Sequence, residues 1–251
     1  MSLKAGIGKI VTDGLVLCLD AADKRSGSDG TSGVWYDRNM YQHNASINGA
    51  TFTDQQAKGA FYFDGVNDYI SIPFGNGRDI SANNVSYDIW VKPADVDTDS
   101  IFLINSSKTN SSHKFYIGQK STNFDMGVQT SDWGDTVLDG ILHHGQLIGG
   151  NSINWFNICI TVTDSGTRMY RDGKNIVSRE VDEDGDPYYI NFVKSSSGVV
   201  FTQDLEIGGW GANGSDFFNG WISSVKVYNK TLSADEVMQN YRVMQHRHKQ
   251  Y

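Results

Sequence analysis

The sequence predicts an all-β fold, a sandwich of two antiparallel sheets. Short segments of alternating apolar and polar residues recur along most of the 251-residue chain. The chain has 27 glycines and only three prolines, and aromatic residues make up 12%. This composition is typical of many short strands joined by tight turns. All-β sandwiches commonly reach this length as a single unit, so we expect one domain.

Period-two alternation between turn residues locates the strands. The first is predicted at residues 15–20, with Leu15, Leu17 and Leu19 on one face. Two alternating runs within residues 61–72 flank an Asp-Gly turn and predict a β-hairpin. Further strands are predicted at residues 85–91, 101–105, 114–118, 124–129, 156–163, 167–171, 175–179, 188–193, 204–208 and 221–228.

One short helix is predicted near the C-terminus, over residues 234–246. Ser233 and Glu236 have the spacing of a capping box, in which each side chain satisfies a free backbone amide. Val237, Tyr241 and Met244 then recur on one side, which predicts an amphipathic helix packed against the sandwich.

The chain is expected to divide into an N-terminal arm at residues 1–10, one domain at 11–241 and a basic tail at 242–251. The tail holds three basic and no acidic side chains, whereas the whole chain carries a net charge of −8. We expect a solvated tail, with docking to an acidic partner as the alternative. The acidic balance argues against nucleic-acid binding.

No apolar run is long enough to span a bilayer, so membrane insertion is not expected. The first residues lack the apolar core of a signal peptide, and we expect synthesis in a reducing cytoplasm. Cys18 and Cys159 lie in apolar strand-like runs and are predicted to be buried thiols. A bridge between them is left open.

Four segments resemble the laminin-G-like, concanavalin A-like jelly-roll family. They are FDGVNDY (63–69), YDIWVKP (87–93), the central hairpin WFNICITVT (155–163) with RMYRDGK (168–174), and a C-terminal set of LEIG (205–208), FNGWISSVKVYN (218–229) and LSADEV (232–237). The resemblance covers about residues 11–241, with stretches like insertions at 131–153 and 181–202. It implies a jelly roll that binds glycans or proteins and is not an enzyme.

The segments IVTDGLVL (10–17) and WYD (35–37) are also similar to laminin-G-like proteins of tailed bacteriophages. This resemblance implies a structural or attachment protein of the virion, either a capsid decoration or a tail or fibre component. Its partners would be other virion proteins, and it would be present in multiple copies. The alternative is a calcium-dependent lectin that recognises a polysaccharide of the host surface.

Two tryptophans in loops rich in glycine and aspartate, Trp133 and Trp210, are candidate binding residues. An exposed indole there would stack on a sugar or anchor a protein contact. A locally packed loop explains them equally well. Trp90, Trp155 and Trp221 lie in the segments that resemble strands of the family and are interpreted as structural.

The acidic run EVDEDGD (180–186) is similar to the Glu-x-Asp-x-Glu strand of jelly-roll glucanases. Its third position is Asp184, one methylene shorter than glutamate, and a Gly-Asp-Pro turn follows. Because carboxylate separation decides the mechanism of a glycosidase, catalysis is the least favoured interpretation. Asp182, Asp184 and Asp186 are candidate calcium ligands, and a solvated acidic loop is the alternative.

Overall fold

The computed structural model describes residues 8–27, 31–73, 84–94, 100–106, 114–120, 123–129, 140–144, 154–163, 166–176, 180–181, 187–188, 204–211 and 214–249. The strands are β1 (Leu15–Asp20), β2 (Val34–Trp35), β3 (Ala45–Asn48), β4 (Thr51–Thr53), β5 (Ala60–Asp64), β6 (Tyr69–Ile72), β7 (Val85–Pro93), β8 (Ser100–Ser106), β9 (Lys114–Lys120), β10 (Asn123–Gln129), β11 (Gly140–His144), β12 (Phe156–Thr163), β13 (Gly166–Arg171), β14 (Lys174–Ile176), β15 (Glu180–Val181), β16 (Pro187–Tyr188), β17 (Leu205–Ile207) and β18 (Asn219–Tyr228). The helix α1 is Ala234–Met244.

Two eight-stranded antiparallel sheets form the predicted jelly-roll sandwich. The first sheet has the order β14-β13-β12-β7-β18-β5-β4, and β1 also pairs with β18. The second sheet has the order β11-β10-β9-β8-β17-β6-β3-β2, and β15 pairs with β16 separately. The inner faces of the two sheets enclose the core, whose large buried side chains include Trp35, Phe61, Phe63, Phe102 and Phe218.

Most predicted strands are confirmed by the structure. The strands β8, β9, β10, β12 and β13 lie within two residues of their predicted bounds, and β12 and β13 form the expected hairpin. The short strands β2, β3, β4 and β11 were not predicted. Of the strand predicted at residues 188–193, only Tyr188 is described.

The predicted hairpin at residues 61–72 is wrong. The strand β5 pairs with β18 and β4 in the first sheet, whereas β6 pairs with β17 and β3 in the second. Phe63 and Ile70 therefore enter the same core from opposite sides. Asp64 Oδ1 accepts a hydrogen bond from the Val66 amide (2.8 Å), and Gly65 has a φ of 78°, so this turn carries the chain between the sheets.

The predicted common face of Leu15, Leu17 and Leu19 is only partly present. Leu17 and Leu19 are fully buried in the core between the sheets. The register of β1 against β18 shifts between Leu15 and Leu17. This irregularity turns Leu15 away, and it packs against a smaller cluster on the outer face of the first sheet.

Both faces of β7 are buried, including the face that carries Ser86, Asp88 and Trp90. The C-terminal segment lies over the outward side chains of β7. Ser86 Oγ donates to the Lys230 carbonyl (2.8 Å), and Asn240 Nδ2 of α1 donates to Asp88 Oδ2 (3.3 Å). Alternation on a central strand therefore shows which side chains point away from the core, but it does not show that those side chains are exposed to solvent.

The helix α1 begins with the predicted capping box of Ser233 and Glu236. A 3-10 turn at Gln245–Arg247 follows it. The Arg247 guanidinium contacts Asp20 (2.7 Å), and His248 is only 5% exposed. The expectation of a solvated tail is therefore wrong for Arg247 and His248, which pack on the first sheet.

The two thiols are free and buried, as expected, and the open question of a bridge is resolved. Cys18, Lys226, Asp88 and Cys159 are neighbours on the adjacent strands β1, β18, β7 and β12. Three strand spacings separate the thiols by about 14 Å, far beyond the reach of a disulfide. Burial raises the pKa of Cys18 to about 11, so its thiol stays protonated near neutral pH.

No helix within the described ranges is long and apolar enough to cross a membrane.

Candidate functional site

Most of the site residues predicted from sequence lie outside the described residues. These are Trp133 and the three candidate calcium ligands Asp182, Asp184 and Asp186. Trp210 is described, just after β17, where its amide donates to the Ser215 carbonyl across a tight turn (3.1 Å). Its side chain is half-buried and its indole nitrogen lies below the surface. The structure therefore places Trp210 in a packed turn with part of its ring exposed.

An open pocket lies at the edge of the sandwich where β1 begins. It has a volume of about 600 Å³, within the roughly 300–1,000 Å³ typical of small-molecule sites. Three segments distant in sequence line it: residues 12–16, residues 38–41 and Asn229 at the end of β18. We call this feature the Tyr41 pocket, because Tyr41 is its aromatic wall and is 39% exposed.

A single buried carboxylate shapes the loop that carries Tyr41. Asp37 is 6% exposed and accepts hydrogen bonds from three backbone amides. Its Oδ1 accepts from Cys18 (2.9 Å) and Asn39 (2.8 Å), and its Oδ2 accepts from His43 (3.0 Å). The Arg38 amide also donates to the Cys18 carbonyl (2.8 Å). Asp37 therefore fixes both ends of the loop against the free edge of β1.

The rest of the Tyr41 pocket is lined by both polar residues (Thr12, Asp13, Arg38, Asn39 and Asn229) and apolar residues (Leu15, Val16 and Met40). Asn39 Nδ2 donates to the Leu15 carbonyl, which holds the side-chain amide of Asn39 in one orientation. The backbone amide of Asn229 donates to the Gly14 carbonyl (2.8 Å). Gly14 has a φ of 72°, and a Cβ there would lie 2.6 Å from Lys230 Cγ. Only glycine therefore allows this close approach of β1 to residue 230.

The charged groups at the pocket are paired with partners outside it. Asp13 contacts Lys230 Nζ (2.7 Å), which also contacts Glu236 Oε1 (2.8 Å), and both carboxylates raise the pKa of Lys230. Arg38 contacts Asp23 (3.0 Å). Hydrogen bonds from Arg25, with Arg38 close by, lower the pKa of Asp23 to about 2.

The arrangement is suited to binding a sugar. A tyrosine ring offers an apolar face to the C–H groups of a pyranose, and neighbouring amide, guanidinium and carboxylate groups can bond its hydroxyls. Asp13 is the one carboxylate among the residues described as lining the pocket. Glycoside hydrolysis ordinarily uses a pair of carboxylates, which this lining does not provide.

Within the part of the chain that the structure describes, no group of three or more His, Cys, Asp or Glu side chains is arranged to hold a metal ion.

Sequence reasoning missed the Tyr41 pocket because three distant segments form it. One signal was present in the sequence. Tyr41 lies in a polar stretch with Asp37, Asn39 and Asn44. Trp133 was selected as a tryptophan in a loop rich in glycine and aspartate, and a wider criterion, any aromatic residue in a polar loop, would also have included Tyr41.

Comparison with protein families gives one match. A family model described as the concanavalin A-like lectin/glucanases superfamily, of laminin G type, matches residues 63–238. A search among curated proteins gives no significant match.

Several solved structures share the fold. Domain 4 of AbnA, a GH43 extracellular arabinanase from Geobacillus stearothermophilus solved with arabinotriose, superposes with a TM-score of 0.59 at 14% identity, covering 90% of this chain and 98% of that one. Botulinum neurotoxin type C, whose cell entry depends on two ganglioside molecules, gives 0.66 at 15% identity, covering 92% and 51%. Trypanosoma rangeli sialidase, solved with sialic acid, gives 0.64 at 14% identity, covering 97% and 35%. At these identities the likeness shows the fold alone.

Proposed function

Because the chain belongs to the concanavalin A-like lectin/glucanases superfamily, we propose that it is a non-catalytic glycan-binding module that serves as a structural or attachment component of a bacteriophage particle. The Tyr41 pocket carries the glycan-binding part of the proposal. It combines an exposed aromatic ring with fixed polar groups in a volume of about 600 Å³. Domain 4 of AbnA, which this chain spans almost completely and which was solved with arabinotriose, supports this assignment.

A binding role is favoured over catalysis because Asp13 is the one carboxylate in the described lining of the pocket. Its carboxylate also contacts Lys230 Nζ (2.7 Å), outside the pocket lining. The described lining therefore offers a bound glycan no pair of acid and base on opposite sides of its glycosidic bond.

The role in a phage particle is supported by residues 10–17 and 35–37, which resemble laminin-G-like proteins of tailed bacteriophages. Two of these residues have defined structural roles. Trp35 is fully buried in the core, and Asp37 organises the loop that carries Tyr41. The resemblance therefore includes residues that shape the pocket. Many copies on one particle would multiply a weak affinity for a host surface polysaccharide.

Two experiments test the proposal. An array of bacterial surface polysaccharides, followed by a reducing-sugar assay on every glycan retained, should show binding without release of new reducing ends. Cleavage of a retained glycan would contradict the non-catalytic assignment. The chain should also sediment with assembled particles from an infected lysate, and its absence from purified particles would remove the virion role while leaving glycan binding intact.

A further inference from the structure

Three side chains form a row across neighbouring strands on the outer face of the first sheet. Tyr62 on β5, Trp221 on β18 and Lys92 on β7 are cross-strand neighbours. The residues beside them in each strand belong to the core, so these three point to the outer face. Tyr62 and Trp221 are partly exposed, with ring centroids 5.2 Å apart.

The ammonium group of Lys92 lies among aromatic and amide groups. Lys92 is 8% exposed, and its Nζ is 5.0 Å from the centroid of the Trp221 ring. Nζ donates to Gln56 Oε1 (3.2 Å), which also accepts from the indole nitrogen of the partly exposed Trp155 (3.4 Å). We call Lys92, Gln56, Tyr62, Trp155 and Trp221 the Lys92 cluster.

Among the described residues, no carboxylate pairs with Lys92, unlike the other buried cations of the described chain. Lys226 contacts Asp88 (3.6 Å), and Arg247 contacts Asp20 (2.7 Å). An ammonium group that loses water without gaining a counter-ion is destabilised. Accordingly, burial lowers the pKa of Lys92. An anion that reached Nζ would supply the missing counter-ion and the missing hydrogen-bond acceptor.

We propose that the Lys92 cluster is a second binding site, for a sugar that carries a carboxylate, such as a uronic or a sialic acid. The carboxylate would accept a hydrogen bond from Lys92 Nζ in a partly desolvated setting, where such bonds are strong. The partly exposed rings of Trp155, Trp221 and Tyr62 would contact the C–H faces of the sugar. A neutral sugar has no carboxylate to pair with Lys92, and a simple carboxylate such as acetate has no sugar ring to contact the aromatic side chains, so both should bind more weakly.

This site is independent of the Tyr41 pocket. The two share no residue, and they lie at opposite ends of β18: Trp221 of the Lys92 cluster is near its first residue, whereas Asn229 of the pocket follows its last residue. Failure of glycan binding at one site therefore says nothing about the other.

Nuclear magnetic resonance of the indole N–H groups tests the proposal directly. The signals of Trp155 and Trp221 are assigned with the Trp155→Phe and Trp221→Phe variants. The full chain is then titrated separately with glucuronate, N-acetylneuraminate, glucose and acetate. Glucuronate or N-acetylneuraminate should shift both signals in a saturable way, and the comparison of the two identifies which acidic sugar is preferred. Glucose and acetate should not saturate at the same concentrations.

The Lys92→Gln variant should lower the affinity for the acidic sugar at least about tenfold, because it removes a hydrogen bond to a charged group. Lys174→Gln is the matched control. Lys174 is an exposed lysine of the same sheet, outside the cluster, and its removal should leave the affinity unchanged. Equal binding of glucose, equal binding of acetate, or full affinity in Lys92→Gln would overturn the proposal. If Lys92→Gln does not fold, the wild-type discrimination between glucuronate and glucose decides.

Discussion

Removal of the Asp37 carboxylate should both destabilise the chain and abolish binding at the Tyr41 pocket. The Asp37→Ala variant leaves the amides of Cys18, Asn39 and His43 without their acceptor. Hydrogen bonds to a charged group contribute about 1.5–3 kcal/mol each. Water can reach part of this loop, so we expect the free energy of unfolding to fall by about 3–5 kcal/mol.

The Asp37→Asn variant separates the two oxygens. It keeps an oxygen for Cys18 and Asn39 but turns an amide group, itself a donor, toward the His43 amide. We expect an intermediate loss of about 1–3 kcal/mol. Asp54→Ala is the control. Asp54 is exposed and, among the described residues, its side chain accepts a hydrogen bond from Gln55 alone, so the loss of stability should stay within about 0.5 kcal/mol.

Urea unfolding followed by tryptophan fluorescence measures all three variants, and calorimetric titration with a glycan retained on the array measures binding by the folded proteins. The free energy of unfolding should be highest for Asp54→Ala, lower for Asp37→Asn and lowest for Asp37→Ala. A loss below about 1 kcal/mol in Asp37→Ala, or unchanged glycan affinity in that variant, would refute the role given to Asp37.

Three further predictions concern the C-terminal segment and calcium. Burial lowers the pKa of His248 from its ordinary 6.5 to about 2, aided by the nearby charges of Arg247, Lys226 and His246. Unfolding below pH 6.5 therefore takes up a proton, so the stability present above pH 6.5 should fall by roughly 2–3 kcal/mol on going to pH 4.5. His248→Gln should remove that part of the pH dependence, and identical pH profiles in urea unfolding would contradict it. Ser233→Ala should lower the free energy of unfolding by about 1 kcal/mol and Ser233→Gly by only a few tenths, because glycine is tolerated at the N-cap. Equal losses of stability in the two variants would argue against the capping role of Ser233. If the acidic run at residues 180–186 binds calcium, free calcium at 100 times its Kd should increase the free energy of unfolding by about 2.7 kcal/mol, and Asp184→Asn should lose that increase. A melting temperature that changes with neither calcium nor chelator would rule out the site.

Local pattern predicted the strands well where a strand and its neighbour are joined by a short turn. The hairpin of β12 and β13 is an example, because alternation and a tight Asp-Ser-Gly turn determine both the strands and their pairing. The same reasoning failed at residues 61–72. Two strands that pack against one core can pair within one sheet or lie in two sheets that face each other. The alternation of apolar and polar residues is the same in both cases, so it does not tell them apart.

Long-range packing explains the remaining differences. Trp90 on β7 alternates outward, yet it is 2% exposed because His248 stacks on it with ring centroids 3.8 Å apart. No local signal links residue 248 to residue 90. The Tyr41 pocket has the same origin, since Asp13, Tyr41 and Asn229 meet only in the folded chain.

The most direct test of the central claim compares two tyrosines of one loop. Tyr36 and Tyr41 are both 39% exposed, but only Tyr41 lines the pocket. Calorimetric titration of a retained glycan should show at least about a tenfold loss of affinity in Tyr41→Ala, the loss expected for a binding anchor. Tyr36→Ala should bind as the wild type does. Equal affinity in the wild type and Tyr41→Ala would contradict the assignment of the pocket as the glycan site.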